Sequence, residues 1–185
     1  SDAVASVTAA SKISMFIVCP FDSMGATMAT YGGQNAGGYK LDRLHKGLGS
    51  CIILGAVYSV IGLLIIAAFG PHLLKLFVSG SETGILADAQ HFLLINGLFY
   101  FPLALVNIVR FMIQGMGFGF FAIIAGVLEM AARTLVGAVL VPIFGYNAAC
   151  FASPLAWIFA DCFLIPAYFV VWNRMKRHKE AYRQV

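Results

Sequence analysis

Long apolar runs separated by short polar breaks fill almost the whole chain, and within each run the apolar residues are continuous rather than alternating. The stretch from Cys51 through Ile-Ile-Leu-Gly-Ala-Val-Tyr-Ser-Val-Ile-Gly-Leu-Leu-Ile-Ile-Ala-Ala to Phe69 is typical. Runs of about 20 such residues match the length of helix that crosses about 30 Å of hydrocarbon. The pattern predicts five spans, at roughly 4–31, 51–77, 92–114, 120–143 and 148–172. A transmembrane barrel would instead show alternating segments of about ten residues. The fold class is therefore an all-α membrane protein, a polytopic helical bundle.

Composition agrees: 61% of the 185 residues are hydrophobic and only 11% are charged, with a mean hydropathy of +0.87. Basic residues set the orientation. Lys40, Arg43 and Lys46 follow the first span, Arg174, Lys176, Arg177, Lys179 and Arg183 follow the last, and residues 79–84 carry none. The first connection and residues 174–185, a basic tail, are thus expected on the cytoplasmic side of a cell membrane. Lys75 and His72 then lie near the outer end of the second span, where a long side chain reaches the interface. The net charge of +4 follows from this asymmetry, and it gives no ground for a nucleic-acid partner; membrane lipid is the expected surroundings. Cys19, Cys51, Cys150 and Cys162 lie in or beside apolar runs with no paired spacing and read as small hydrophobes, not metal ligands or disulfides. No metal site is expected. Ser1-Asp-Ala-Val has neither an initiator Met nor a basic leader, so further chain is expected upstream.

Several segments carry a family likeness. Ala9-Ala-Ser-Lys-Ile13, Pro20, Gly25-Ala-Thr-Met-Ala-Thr30 and Gly33-Gln-Asn-Ala-Gly37, with Arg43 downstream, resemble the eighth helix and following loop of multidrug and toxic compound extrusion (MATE) transporters. In matching order come Gln114-Gly-Met-Gly117, similar to the turn after helix ten, and Leu128-Glu-Met-Ala-Ala-Arg133, similar to a Glu-x-x-x-Arg on helix eleven. Phe144-Gly-Tyr-Asn-Ala-Ala-Cys-Phe-Ala-Ser-Pro-Leu-Ala-Trp157 resembles the start of helix twelve. The resemblance implies a partial C-terminal lobe over residues 1–173, partnered by an N-terminal lobe outside this sequence. It further implies export of drugs or organic cations in exchange for sodium ions or protons, with no cofactor. Some family members place a cation-binding acid in the helix matching 92–114, and none stands there.

The residues have physical readings of their own. Gly25, Ala29, Gly33 and Gly37 recur every fourth position and read as a seam for close helix packing. Gln34 and Asn35 follow where amides can bond free helix carbonyls, and Gly37-Gly38 permits a left-handed turn that ends the helix. Ionised groups inside a bilayer are costly unless paired or wetted, so Lys12, Asp22, Arg110, Glu129, Arg133 and Asp161 are the functional candidates. Glu129 and Arg133, four apart with the acid first, read as a same-face pair, either structural or titrating during a transport cycle. Pro20 frees a carbonyl near Asp22, and a bend there would open a polar patch, with Asp22 either in a cavity or paired across helices. Asp161, in the middle of the last span, needs a partner from another helix. Arg110 lies close enough to a span end to reach the interface.

Other classes are weaker. No His-Glu-x-x-His or Gly-x-Ser-x-Gly is present, so an enzyme is not expected. A lipid or polyisoprenoid flippase of similar architecture, or a non-transporting membrane subunit, remains as the alternative.

Overall fold

In the computed structural model, which describes residues 2–77 and 83–183, every regular element is helical. The order is α1 (Asp2–Gly37), α2 (Leu41–Leu74), α3 (Thr83–Leu98), α4 (Tyr100–Gly115), α5 (Gly119–Leu135), a π-helical segment (Val136–Leu140), α6 (Val141–Phe144) and α7 (Tyr146–Arg183). Among the described residues, four stretches are long and apolar enough to cross a bilayer, and α3 with α4 makes a fifth if counted as one bent span. The chain is a multi-pass helical membrane protein.

Three boundaries differ from the sequence expectation, each for a physical reason. First, α2 starts ten residues before Cys51, at Leu41. Its buried positions, among them Leu41, Leu44, Leu48, Cys51 and Gly55, repeat at intervals of three and four and carry the helix through Asp42, Arg43 and Lys46. Second, the basic tail is no separate segment, because α7 continues through it to Arg183. The side chains of Lys179 and Arg183 lie outside the described residues, as do most of 79–84.

Third, the span expected at 92–114 is broken. Helix α3 begins already at Thr83, and a bend of 52° at Phe99 separates it from α4. Pro102 explains the position: it has no N–H to offer the carbonyl four residues back, at Leu98, and its ring crowds that carbonyl. The π segment interrupts the span expected at 120–143 just before Pro142, with Val141 N–H donating to Val136 O.

Helix α4 is the centre. Tyr100, Leu103, Ala104, Val106, Asn107, Ile108, Val109, Met112 and Ile113 are all buried, too many for one face. It packs most extensively on α1 and also touches α2, α5 and α7. The seam read from Gly25, Ala29 and Gly33 forms the α1–α4 contact. A Cβ on Gly25 would sit 2.7 Å from the Phe111 ring, and one on Gly33 3.1 Å from the Gly115 carbonyl oxygen. Gly115 itself lies so close to the Ala29 carbonyl that no side chain fits. Gly32, not anticipated in the stripe, faces the Met112 carbonyl at 3.0 Å, whereas Gly37 faces open space and is no part of the seam.

The end of α1 also differs in detail. Asn35 is buried and its Nδ2 donates to Tyr31 O at 2.9 Å, as expected of a carbonyl-bonding amide. Gln34 is exposed. The left-handed residue is Tyr39, at φ 49°, not Gly37 or Gly38. Tyr31 anchors the turn: its hydroxyl donates to Arg43 O at 2.7 Å and its ring occupies the space left by Gly47. Glycine is required at Gly117 (φ 93°) and Gly145 (φ 63°), the turns after α4 and before α7.

Side chains of neighbouring helices bond backbone carbonyls near two of the prolines. Tyr58 donates to Ile17 O at 3.0 Å, in the turn before Pro20. Asn96 Nδ2 reaches Cys150 O at 3.4 Å, four residues before Pro154, the carbonyl that the proline cannot bond. The outward face of α2 is apolar, with Ile53, Leu54, Val57, Val60, Ile61 and Leu64 exposed.

These contacts set an expectation for the seam. Gly115→Ala should destabilise the protein by about 1–3 kcal/mol through overpacking. Gly37→Ala, in open space, should leave stability unchanged or slightly raised. Thermal unfolding in detergent compares them; equal melting of the two variants would contradict the close approach.

Candidate functional site

Charged side chains gather where α4, α5 and α7 meet. Glu129 on α5 is 8% exposed and forms an ion pair with Arg110 of α4. Its other oxygen accepts a hydrogen bond from Arg133 Nη2 at 3.3 Å. The same-face pair expected from the sequence is therefore present, but Arg133 is its outer member, with 48% of its side chain exposed. The inner partner is Arg110, and this corrects the expectation that Arg110 reaches for the interface. A buried carboxylate attracts a guanidinium from a neighbouring helix more strongly than water draws one already close to it. The sequence could not supply that pairing, since it joins residues on different helices.

Asp161 on α7 is 7% exposed, and its Oδ1 has no hydrogen-bond donor among the described residues. Arg110 lies within its electrostatic reach, and the Nε of that arginine also has no hydrogen-bond partner. Two acids and two guanidiniums thus gather beside the C-terminal half of α4, which itself carries Arg110. Glu129 is neutralised by direct contact, while Asp161 makes no ion pair among the described residues. The partner that Asp161 needed from another helix is thus only a neighbour at a distance.

The other two candidates stand apart from this cluster. Lys12 lies at the opposite end of the bundle, its ammonium 5.7 Å from the centre of the Phe77 ring, a cation–π contact and not an ion pair. Asp22 is exposed. Pro20 does not open a polar patch inside the bundle beside it, because α1 stays helical and the nearby Ile17 carbonyl is taken by Tyr58.

Asp22 belongs instead to an exposed face of α1 on which Thr8, Ser11, Ser23, Thr27, Thr30 and Gln34 are interspersed with the exposed Met15 and Phe16. The hydroxyls of this face donate to carbonyls four residues back, Ser23 to Cys19 O at 3.1 Å and Thr27 to Ser23 O at 2.8 Å. Bonded hydroxyls tolerate hydrocarbon, but an ionised carboxylate does not. Asp22 on this face calls for water or a protein partner beside it. The hydroxyls at spacings of three and four are the signal of this face in the sequence. No group of three or more His, Cys, Asp or Glu comes together among the described residues.

A bundle of bilayer-length helices with ionised groups enclosed around its central member defines a polytopic integral membrane protein. The sequence model of the MatE family matches residues 1–143, and the chain belongs to this family of multidrug and toxic compound extrusion transporters. A solved structure described as the inward-facing conformation of a multidrug resistance MATE family transporter of the MOP superfamily has a similar fold, with a TM-score of 0.73 at 19% identity. The likeness covers 92% of this chain and 39% of that one, so the chain spans well under half the length of that transporter. No curated protein matches the sequence.

The ion cluster predicts unequal costs. Arg110→Gln strands a buried Glu129 and should destabilise by about 3–5 kcal/mol. Arg133→Gln removes a half-exposed partner and should cost about 1 kcal/mol or less. The double variant Arg110→Leu with Glu129→Leu should recover most of the first loss. Chemical or thermal unfolding of the three proteins checks the order; equal losses for the two arginines would overturn it.

Proposed function

We propose that this chain forms part of a secondary active exporter that moves drugs or organic cations out of the cell in exchange for sodium ions or protons. The observation that carries the reading is Asp161, a carboxylate enclosed among helices yet without a direct cationic partner. A group so placed gains from binding a proton or a monovalent cation, because either neutralises charge that the bilayer disfavours. Glu129, held between Arg110 and Arg133, already has its neutralising partners and acts as the electrostatic frame.

In this reading the Asp22 face of α1 turns toward a second, N-terminal lobe, and Asp22 offers a negative charge to a cationic substrate in the space between them. Family membership and the partial coverage of a solved transporter support a two-lobe arrangement. The basic start of α2 and the basic end of α7 meet where the His45 and Trp172 rings lie 5.4 Å apart, and the distribution of Lys and Arg supports a cytoplasmic side for that end. Ion and substrate each favour one facing state, and their differential affinities drive export.

The test is efflux of a fluorescent organic cation by the full-length protein in proteoliposomes under imposed pH and sodium gradients. Asp161→Asn should lower gradient-driven efflux roughly tenfold or more while leaving substrate binding intact. Asp22→Asn should weaken binding of cationic substrates and spare neutral ones. Gradient-driven efflux that survives Asp161→Asn would sink the coupling role of this residue.

A further inference from the structure

A slot of about 280 Å³ opens between α2, α4 and α7, and none of the charge-cluster residues lines it. Its walls are apolar, with Ile52, Leu105 and Val109 on one side and Ile165 and Phe169 on the other. Two features keep it from being an ordinary gap between helices. Tyr168, only 5% exposed, lines the slot, and its hydroxyl has no hydrogen-bond partner among the described residues. At the basic end the slot is lined by His45, whose ring lies tilted 5.4 Å from Trp172, and Trp172 in turn lies 6.2 Å from Tyr168.

The charges around this mouth are unbalanced. Lys46 follows His45 on α2, and Lys176 stands one turn beyond Trp172 on α7, both exposed. Asp42, one turn before His45 and also exposed, is the acid on the same helix. Aromatic rings at the level of the interface, basic side chains just beyond it and an apolar slot reaching inward from it are complementary to one kind of molecule.

We propose that this slot is a binding site for an anionic phospholipid, one acyl chain lying between α2 and α7 and the phosphate resting among His45, Lys46 and Lys176. The proposal rests on the slot and its flanking charges and stands whether or not the export reading holds. Gly49 lines the slot and a Cβ added there would meet nothing within 4 Å, so Gly49→Leu places its branch in the slot.

The experiment uses the full-length protein in nanodiscs with Trp172 as reporter, made in a background where the other tryptophans are replaced by Phe. Brominated phosphatidylglycerol or brominated phosphatidylcholine is added at increasing mole fraction, and quenching of Trp172 is read. Phosphatidylglycerol is expected to saturate at a mole fraction several times lower than phosphatidylcholine. Lys46→Gln and Lys176→Gln should each reduce that preference by about fivefold, equivalent to about 1 kcal/mol. Gly49→Leu should weaken quenching by both lipids, and Gly49→Ala should keep the preference. Equal quenching by the two lipids, or a preference untouched by both lysine variants, would overturn the proposal and leave only unspecific lipid contact. Quenching relieved by a lipophilic cation but not by unbrominated phosphatidylglycerol would assign the slot to a transported compound and overturn it equally.

Discussion

A helix carbonyl surrounded by hydrocarbon has no water to bond, so every donor that a proline removes must be replaced from within the chain. This constraint organises the bundle. The Cys150 carbonyl, left open by Pro154, is met by Asn96 of α3, and Ile17 near Pro20 is met by Tyr58 of α2. Gln90 of α3 reaches a further α2 carbonyl, Ile66 O, at 3.1 Å. Side-chain amides and a phenol thus tie α1, α2, α3 and α7 to one another through backbone carbonyls. At Pro154 the tie falls on the very carbonyl that the proline leaves open.

The same accounting applies to charge. Glu129 is tolerable inside the bundle because Arg110 arrives from α4, and Arg110 is tolerable because Glu129 and the more distant Asp161 surround it. The cluster needs α4 at the centre, and α4 is central because Gly25, Gly32, Gly33 and Gly115 let α1 lie against its backbone. Small residues far from any charge therefore decide where the charges meet. The pieces form one chain of dependence, from backbone approach to helix placement to neutralised ions.

Much of this was legible in the sequence. Continuous apolar runs announced a helical membrane bundle, and the four-residue spacing of Gly25, Ala29 and Gly33 announced a packing seam. The Glu129–Arg133 pair followed from helical geometry alone. Three things were hidden for physical reasons. Hydropathy cannot see that Leu41, Leu44 and Leu48 extend α2 through charged positions, because the average over a window hides a one-sided stripe. The break at Phe99 had a signal in Pro102, masked by the unbroken hydrophobicity around it. The Arg110–Glu129 contact joins residues on different helices, and no local pattern encodes which helices are neighbours.

The glycine seam also has a mechanical meaning. Helix α1 is 36 residues long, about 54 Å at the ordinary rise, and its second half lies against the 16 residues of α4, about 24 Å, with its glycines set close to the α4 backbone and to Phe111 and Met112. Such a pair behaves as a stiff beam: a tilt of a few degrees about its middle carries each end by roughly 2 Å in opposite directions. A displacement imposed at one membrane surface is then delivered at the other without being absorbed along the way. The compliance of this bundle lies elsewhere, at the bend beside Phe99 and in the π segment after Leu135.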